Sequence, residues 1–136
     1  MTNRTDDVSE TWDFDRLEPG TDFGTMSLPI GSEDAALWSG VFGGPMTDPV
    51  PASLLLALLM RAYLRLLHPR PAGNIHASQD LHFTGIQVRS GDVLEAGLKV
   101  QDRFLKKERR WVVFRVGLSL NGETVLTGDI TSIWAR

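Results

Sequence analysis

The sequence has no cysteine among its 136 residues. That excludes disulfides and thiolate metal sites, and it fits a reducing cytoplasm. Nor is there an excess of basic residues: 14 Lys and Arg against 17 Asp and Glu give a net charge of −3. Domains that bind nucleic acid generally tend to be basic, so that class is set aside. The opening stretch MTNRTDDVSETWDFDR carries five acidic side chains and lacks the apolar core of a secretion or import signal. A cytoplasmic protein is the expectation. The one apolar run that raises the question of a membrane, Ala52 to Leu67, has 16 residues with Arg61 and Arg65 inside it. A spanning helix needs about 20 predominantly apolar residues, so this run reads as a buried helix. The glycines of FGGP lack phosphate-loop spacing and a following Lys-Ser/Thr, and no serine sits in a G-x-S-x-G elbow. No internal repeat, heptad or low-complexity tract is present.

What is there fits one domain. Residues 1–20 are polar and acidic and end in Pro19-Gly20. They read as a flexible arm that docks through Trp12 and Phe14, leaving 21–136 as a single domain. TDFGTMSLPI suits a first strand. Ser32, Glu33 and Asp34 suit the start of a short helix, with a break at Gly43-Gly44-Pro45. Pro49 and Pro51 precede the central helix, Ser53 suits its N-cap, and Pro69 and Pro71 end it. Leu54, Leu55, Leu58, Leu59, Ala62 and Leu66 share one helical face, and Leu56, Met60, Tyr63, Leu64 and Leu67 cover much of the rest. A helix apolar nearly all round is buried on most sides. Arg61, Arg65 and His68 mark the strip left for water or a ligand.

From Gly73 the period changes to that of strands. A first run lies within NIHASQDLHFT, followed by runs at Val93 to Phe104, Arg110 to Leu120 and Glu123 to Trp134. In the Arg110 run, Val112, Phe114, Val116, Leu118 and Leu120 make one apolar face. Asn121-Gly122 is a strong hairpin signal, and Ser90-Gly91-Asp92 and the KKER segment are further turns. Strands joined by tight turns are antiparallel. An open flat sheet covers only one side of a helix buried all round, so the sheet must curl around it. The expected fold class is α+β, a long antiparallel sheet wrapped around a central apolar helix. An open sheet edge would need cover, which points to a dimer.

The order of elements resembles a known family. GGPMTDPVPASLLLALLMRAYL resembles the loop into the central helix of hotdog-fold proteins of the MaoC-like dehydratase/hydratase group, in the branch related to the dehydratase half of fungal-type fatty-acid synthases. DLHFTGIQVRSGDVLEAGLKVQDRFLKKERRWVVFRVGLSLNGETVLTGDITSIW resembles that family's later strands and hairpins. The similarity covers about residues 22–135. It implies a hotdog dimer or higher homo-oligomer, or pairing with a heteromeric hotdog partner. It also implies acyl-CoA or acyl-carrier-protein thioesters as ligands, with coenzyme A or phosphopantetheine as part of the substrate and no separate cofactor. Catalytic members add or remove water with a D-x-N-P-x-H segment, and that segment is absent here. Where a later loop would place its His, this chain has Asp48, in Met46-Thr47-Asp48-Pro49. A lost and a relocated active site are both open. A hotdog thioesterase and a non-catalytic partner subunit of a heteromeric dehydratase stand as alternatives.

The candidate catalytic residues are Asp48, His76, Asp80 and His82. Asp48 suits an acid or base beside a thioester at the positive helix end, and equally an Asx-turn before Pro49. His76, Asp80 and His82 lie on one alternating strand and so share a face, as an acid–base group or as part of a polar outer surface. Their spacing matches no metal motif. Arg103, Lys106, Lys107, Arg109 and Arg110, around Glu108, suit coenzyme A phosphates, an acidic carrier protein or a solvated turn. Arg61 and Arg65 suit a tunnel mouth or snorkelling into water.

Overall fold

The computed structural model describes residues 11–31, Asp34, Ala36, Gly40 and 49–136. Strand β1 (Asp22–Pro29) is followed by helix α1 (Ala52–Leu66), β2 (Ile75–Phe83), β3 (Val93–Lys106), β4 (Arg109–Leu120) and β5 (Glu123–Trp134). The strands form one sheet in the order β1-β3-β4-β5-β2, with every neighbouring pair antiparallel. Among the described residues no helix is long and apolar enough to cross a membrane.

Helix α1 begins after Pro51, so Ser53 lies inside the helix and is not its cap. At the other end Arg70 Nη1 donates to Leu64 O at 2.9 Å and Leu67 O at 3.0 Å. These bonds satisfy carbonyls that a helix terminus otherwise leaves without partners. Leu54, Leu55, Leu58, Leu59, Ala62 and Tyr63 are buried. Against them lie Leu94, Ala96, Leu98 and Val100 of β3, Val112, Phe114, Val116 and Leu118 of β4, and Val125, Leu126, Ile130 and Trp134 of β5. Each large apolar side chain so buried contributes about 1.5–3 kcal/mol. The alternation seen in the Arg110 run is therefore the core face of β4.

The sheet curls because each of its four strand pairs carries a bulge. The extra residues in the later strands are Ala77 in β2, Gln101 in β3 and Val125 in β5. A bulge bends its strand and increases the local twist. The helix approaches β5 closely at Gly128, where a Cβ would lie 3.1 Å from Leu59 Cδ1 and 3.2 Å from Leu81 Cδ2. Glycine is the residue that allows this approach.

The bulge at Ala77 corrects one expectation. Directly paired residues share a face of the sheet. His76 pairs with Ser132, whereas Asp80 pairs with Asp129 and His82 with Thr127. Ser132 is buried on the core side, and Asp129 and Thr127 are on the other. His76 is thus on the opposite face from Asp80 and His82, because the extra residue breaks the alternation.

Residues 11–20 are packed onto the sheet. Leu17 is fully buried in the core, and the Trp12 ring stands edge-on to Phe23 at 4.7 Å. Trp134 Nε1 donates to Trp12 O at 2.7 Å, and Gly20 N donates to Val100 O at 2.9 Å. Trp12 and Phe14 are docked, and with Leu17 in the core residues 11–20 pack as part of the domain and not as a flexible arm; residues 1–10 of the expected arm lie outside the described residues.

Candidate functional site

The chain entering α1 is tied to the β2–β3 loop, and that loop is tied in turn to the end of β1. Val50 N donates to Val88 O at 2.7 Å, Ile30 N to Asp92 O at 2.9 Å and Gly91 N to Ile30 O at 2.8 Å. A helix start carries about half a positive charge, so this end attracts a polarised carbonyl or an anion. Asp48, the expected acid or base here, lies outside the described residues.

Beside this end runs an incompletely covered apolar strip. Leu59 approaches Gly128, and Tyr63 faces Ser132, so that side of α1 faces β5. Next around the helix, at intervals of four, come Leu56, Met60 and Leu64. Leu56 and Met60 are half-buried and Leu64 is 47 % exposed. Beyond β5 on that side comes β2, which among the described residues is an edge strand paired only with β5. Leu81 and Phe83 pair with Gly128 and Leu126 and so share their core-side face, with Phe83 39 % exposed. An incompletely covered helix face, an apolar strand face and, among the described residues, an open strand edge thus lie on the same side of the molecule.

The expected site residues do not gather there. Asp80 and His82 are exposed on the outer face of the sheet. Asp80 stands opposite Asp129, whose carboxylate is taken by Arg115 through Nε at 2.8 Å and Nη2 at 3.0 Å. That paired carboxylate raises the Arg115 pKa above its ordinary value. His76 is on the concave side, but beside Ser132 near the far end of α1. His68 follows the helix C-terminus. None of the chain's three histidines stands on the concave face at the helix start.

The expected cationic group is divided as well. Val93 begins β3 near the helix start and Lys106 ends it, about 43 Å away at ~3.3 Å per residue. The basic hairpin is thus at the opposite end of the sheet from the helix N-terminus. Arg103 is committed to the N-terminal segment: its Nη1 donates to Phe14 O at 2.6 Å and its guanidinium lies 5.2 Å from the Phe14 ring centre. Arg110 Nη1 donates to Ala135 O at 3.2 Å. Lys106, Lys107 and Arg109 are exposed, with no ion pair among the described residues. Arg61 pairs with the buried Asp34 at 3.3 Å, and Arg65 is exposed in the last helical turn.

Two polar pairs have no signal in the sequence. Tyr63 Oη and Ser132 Oγ lie 3.4 Å apart in the core, and burial raises the Tyr63 pKa above its ordinary value, partly offset by Ser132 and Arg70. Arg115 and Asp129 are the other pair; they lie at 115 and 129 and meet only through the β4–β5 register. A depression of about 340 Å³ opens on the outer face over the glycine pair Gly97 and Gly117, with Lys99 and Arg115 at its side. It is on the far side of the sheet from α1. Among the described residues no cluster of acidic and histidine side chains is arranged to hold a metal.

No protein-family model and no curated protein sequence matches the chain. Solved structures do. A MaoC-like dehydratase from Rhodospirillum rubrum is 18 % identical with a TM-score of 0.71, over 92 % of this chain and 98 % of that one. An (R)-hydratase from A. caviae involved in PHA biosynthesis is 20 % identical with a TM-score of 0.64, over 85 % and 96 %. The HadBC (3R-hydroxyacyl-ACP dehydratase) complex of Mycobacterium tuberculosis gives 15 % identity and a TM-score of 0.62, over 86 % and 98 %. These likenesses span nearly the whole of each chain. They establish the hotdog fold, the one seen in MaoC-like dehydratases and hydratases.

Proposed function

We propose that this chain binds acyl thioesters, borne on coenzyme A or on the phosphopantetheine of a carrier protein, in a slot where two hotdog subunits meet. One observation carries the reading: the strip Leu56–Met60–Leu64 is left half-exposed on the β5 side of α1, and the edge strand β2, next to β5, has no second strand partner among the described residues. A second subunit placed against that edge satisfies its free backbone groups and covers the strip. An acyl chain between the subunits would lie along apolar side chains, with its thioester carbonyl at the start of α1. One structural neighbour is named as a 3R-hydroxyacyl-ACP dehydratase, which supports this substrate class, and the others as a dehydratase and a hydratase.

The reaction that suits this geometry is hydration of a 2-enoyl thioester or its reverse. A base takes a proton from water, the oxygen attacks C3, and a proton is delivered to C2. The helix dipole stabilises the negative charge that develops on the thioester oxygen. Asp48 is the residue we assign to proton transfer. The placement of the histidines favours a second reading, in which the chain is the non-catalytic half of a two-subunit dehydratase. Crotonyl-CoA separates these. Loss of enoyl absorbance that disappears in Asp48→Asn supports an active hydratase. Thiol release in its place makes the protein a thioesterase. Thermal stabilisation by crotonyl-CoA without turnover supports the partner subunit, and neither turnover nor stabilisation refutes the proposal.

A further inference from the structure

The outer face of the sheet is not polar throughout. At the β3–β4 hairpin end, Phe104 pairs with Trp111, Trp111 with Ile133, and Ile133 with Ile75. Directly paired residues share a face, so these four form a row across β3, β4, β5 and β2. It is the outer face, because the residues flanking Trp111 and Ile133 on the core side, Val112, Ser132 and Trp134, are buried. Phe104 is 38 % and Ile75 51 % exposed, and the Phe104 and Trp111 rings stack at 6.1 Å and 6°. Strands ~4.8 Å apart make the row about 15 Å long, which is two to three turns of an α-helix.

On the hairpin side the rim of this row is mainly basic, while the other flank carries Asp102. Lys106 and Arg109 pair with each other one row further out and so share the outer face, with Lys107 at the turn between them. Lys107 and Glu108 form that turn at φ 52° and 62°, a region that favours Asn and Gly. The β4–β5 turn of the same sheet uses Asn121-Gly122 there. Two long charged side chains are thus kept at the hairpin tip in a conformation that favours Asn or Gly.

We propose that this row and its cationic rim are a docking surface for an acidic amphipathic helix of another protein. The length suits a helix, and the cations suit carboxylates on the flank of the helix that faces the hairpin tip. A second copy would bring the same cations against these. Bases would find the Phe104 and Trp111 ring faces already turned to one another. The surface is on the opposite face from the acyl slot and does not depend on the thioester reading.

The test is an NMR titration of the isotope-labelled full chain with a short Leu/Glu amphipathic helical peptide. Amide shifts centred on Phe104, Trp111, Ile133 and Ile75 are expected. Affinity should fall about tenfold in Arg109→Glu and in Ile75→Ser, both exposed positions, and should weaken with salt. Three further probes are a Leu/Lys peptide, phosphatidylglycerol vesicles and oligothymidine, with sedimentation of the chain alone. No shift at the row with the Leu/Glu peptide overturns the proposal. So does equal or tighter binding of any other probe there, or self-association that Ile75→Ser abolishes.

Discussion

Replacing Gly128 tests whether α1 lies against β5 as described. A Cβ at this position meets Leu59 Cδ1 at 3.1 Å, Leu59 Cδ2 at 3.3 Å and Leu81 Cδ2 at 3.2 Å. Gly128→Ala therefore has two opposed effects. Restricting a strand glycine gains roughly 0.5–1 kcal/mol. Crowding a close-packed site costs about 1–3 kcal/mol. The single variant can thus come out close to neutral, and its stability alone decides little. Leu59→Ala removes two of the three close atoms and by itself costs about 2–5 kcal/mol, since Leu59 is fully buried. In that background only Leu81 Cδ2 stays close to the methyl group added by Gly128→Ala, most of the crowding is relieved, and the backbone gain is unchanged. The double-mutant cycle cancels the backbone contribution and leaves the clash, so a coupling of about 1 kcal/mol or more is expected, the double variant being more stable than additivity allows. Urea unfolding followed by tryptophan fluorescence, with an unchanged m-value, gives the four stabilities. Additivity within about 0.3–0.5 kcal/mol would mean that Leu59 and residue 128 do not touch, and the packing of α1 on β5 would be wrong.

Other predictions follow from the polar pairs. Tyr63 is the only tyrosine, so phenolate absorbance reports it alone. Its folded pKa is raised by burial, so native protein holds the proton that unfolded protein releases near pH 10. Stability should fall as pH rises from there through the folded pKa, and Tyr63→Phe should remove that slope. Arg61→Ala should cost about 1–3 kcal/mol because it strands the buried Asp34 carboxylate, and the loss should shrink in Asp34→Asn. Arg115→Gln should cost at most about 1 kcal/mol, since both partners of this pair are partly exposed. Chemical denaturation measures both.

The fold was legible where periodicity reports burial. The core face of β4 and the buried residues Leu54, Leu55, Leu58 and Leu59 followed from spacing alone, and Asn121-Gly122 marked its turn. Bulges have no such signature. Ala77 looks like any strand residue, yet it turns His76 away from Asp80 and His82. The basic hairpin read as a ligand site or as a solvated turn because a sequence does not show where along the sheet the end of a long strand falls. β3 carries its cations to the opposite end. Arg61 and Arg103 looked free because their partners, Asp34 and the Phe14 carbonyl, are far away in the chain. The apolar row on the outer face was hidden for a related reason, its four residues coming from four strands.

The central claim is that an acyl thioester lies along α1 with its carbonyl at the helix start. Methyl-labelled leucines, titrated with a crotonyl-CoA analogue in which a methylene replaces the sulfur, test it directly. Shifts at Leu54, Leu56 and Leu81, with the leucine of the hairpin tip, Leu105, unmoved, are the predicted result. Saturable binding that moves Leu105 and leaves the α1 leucines unchanged would contradict it, as would no binding at all.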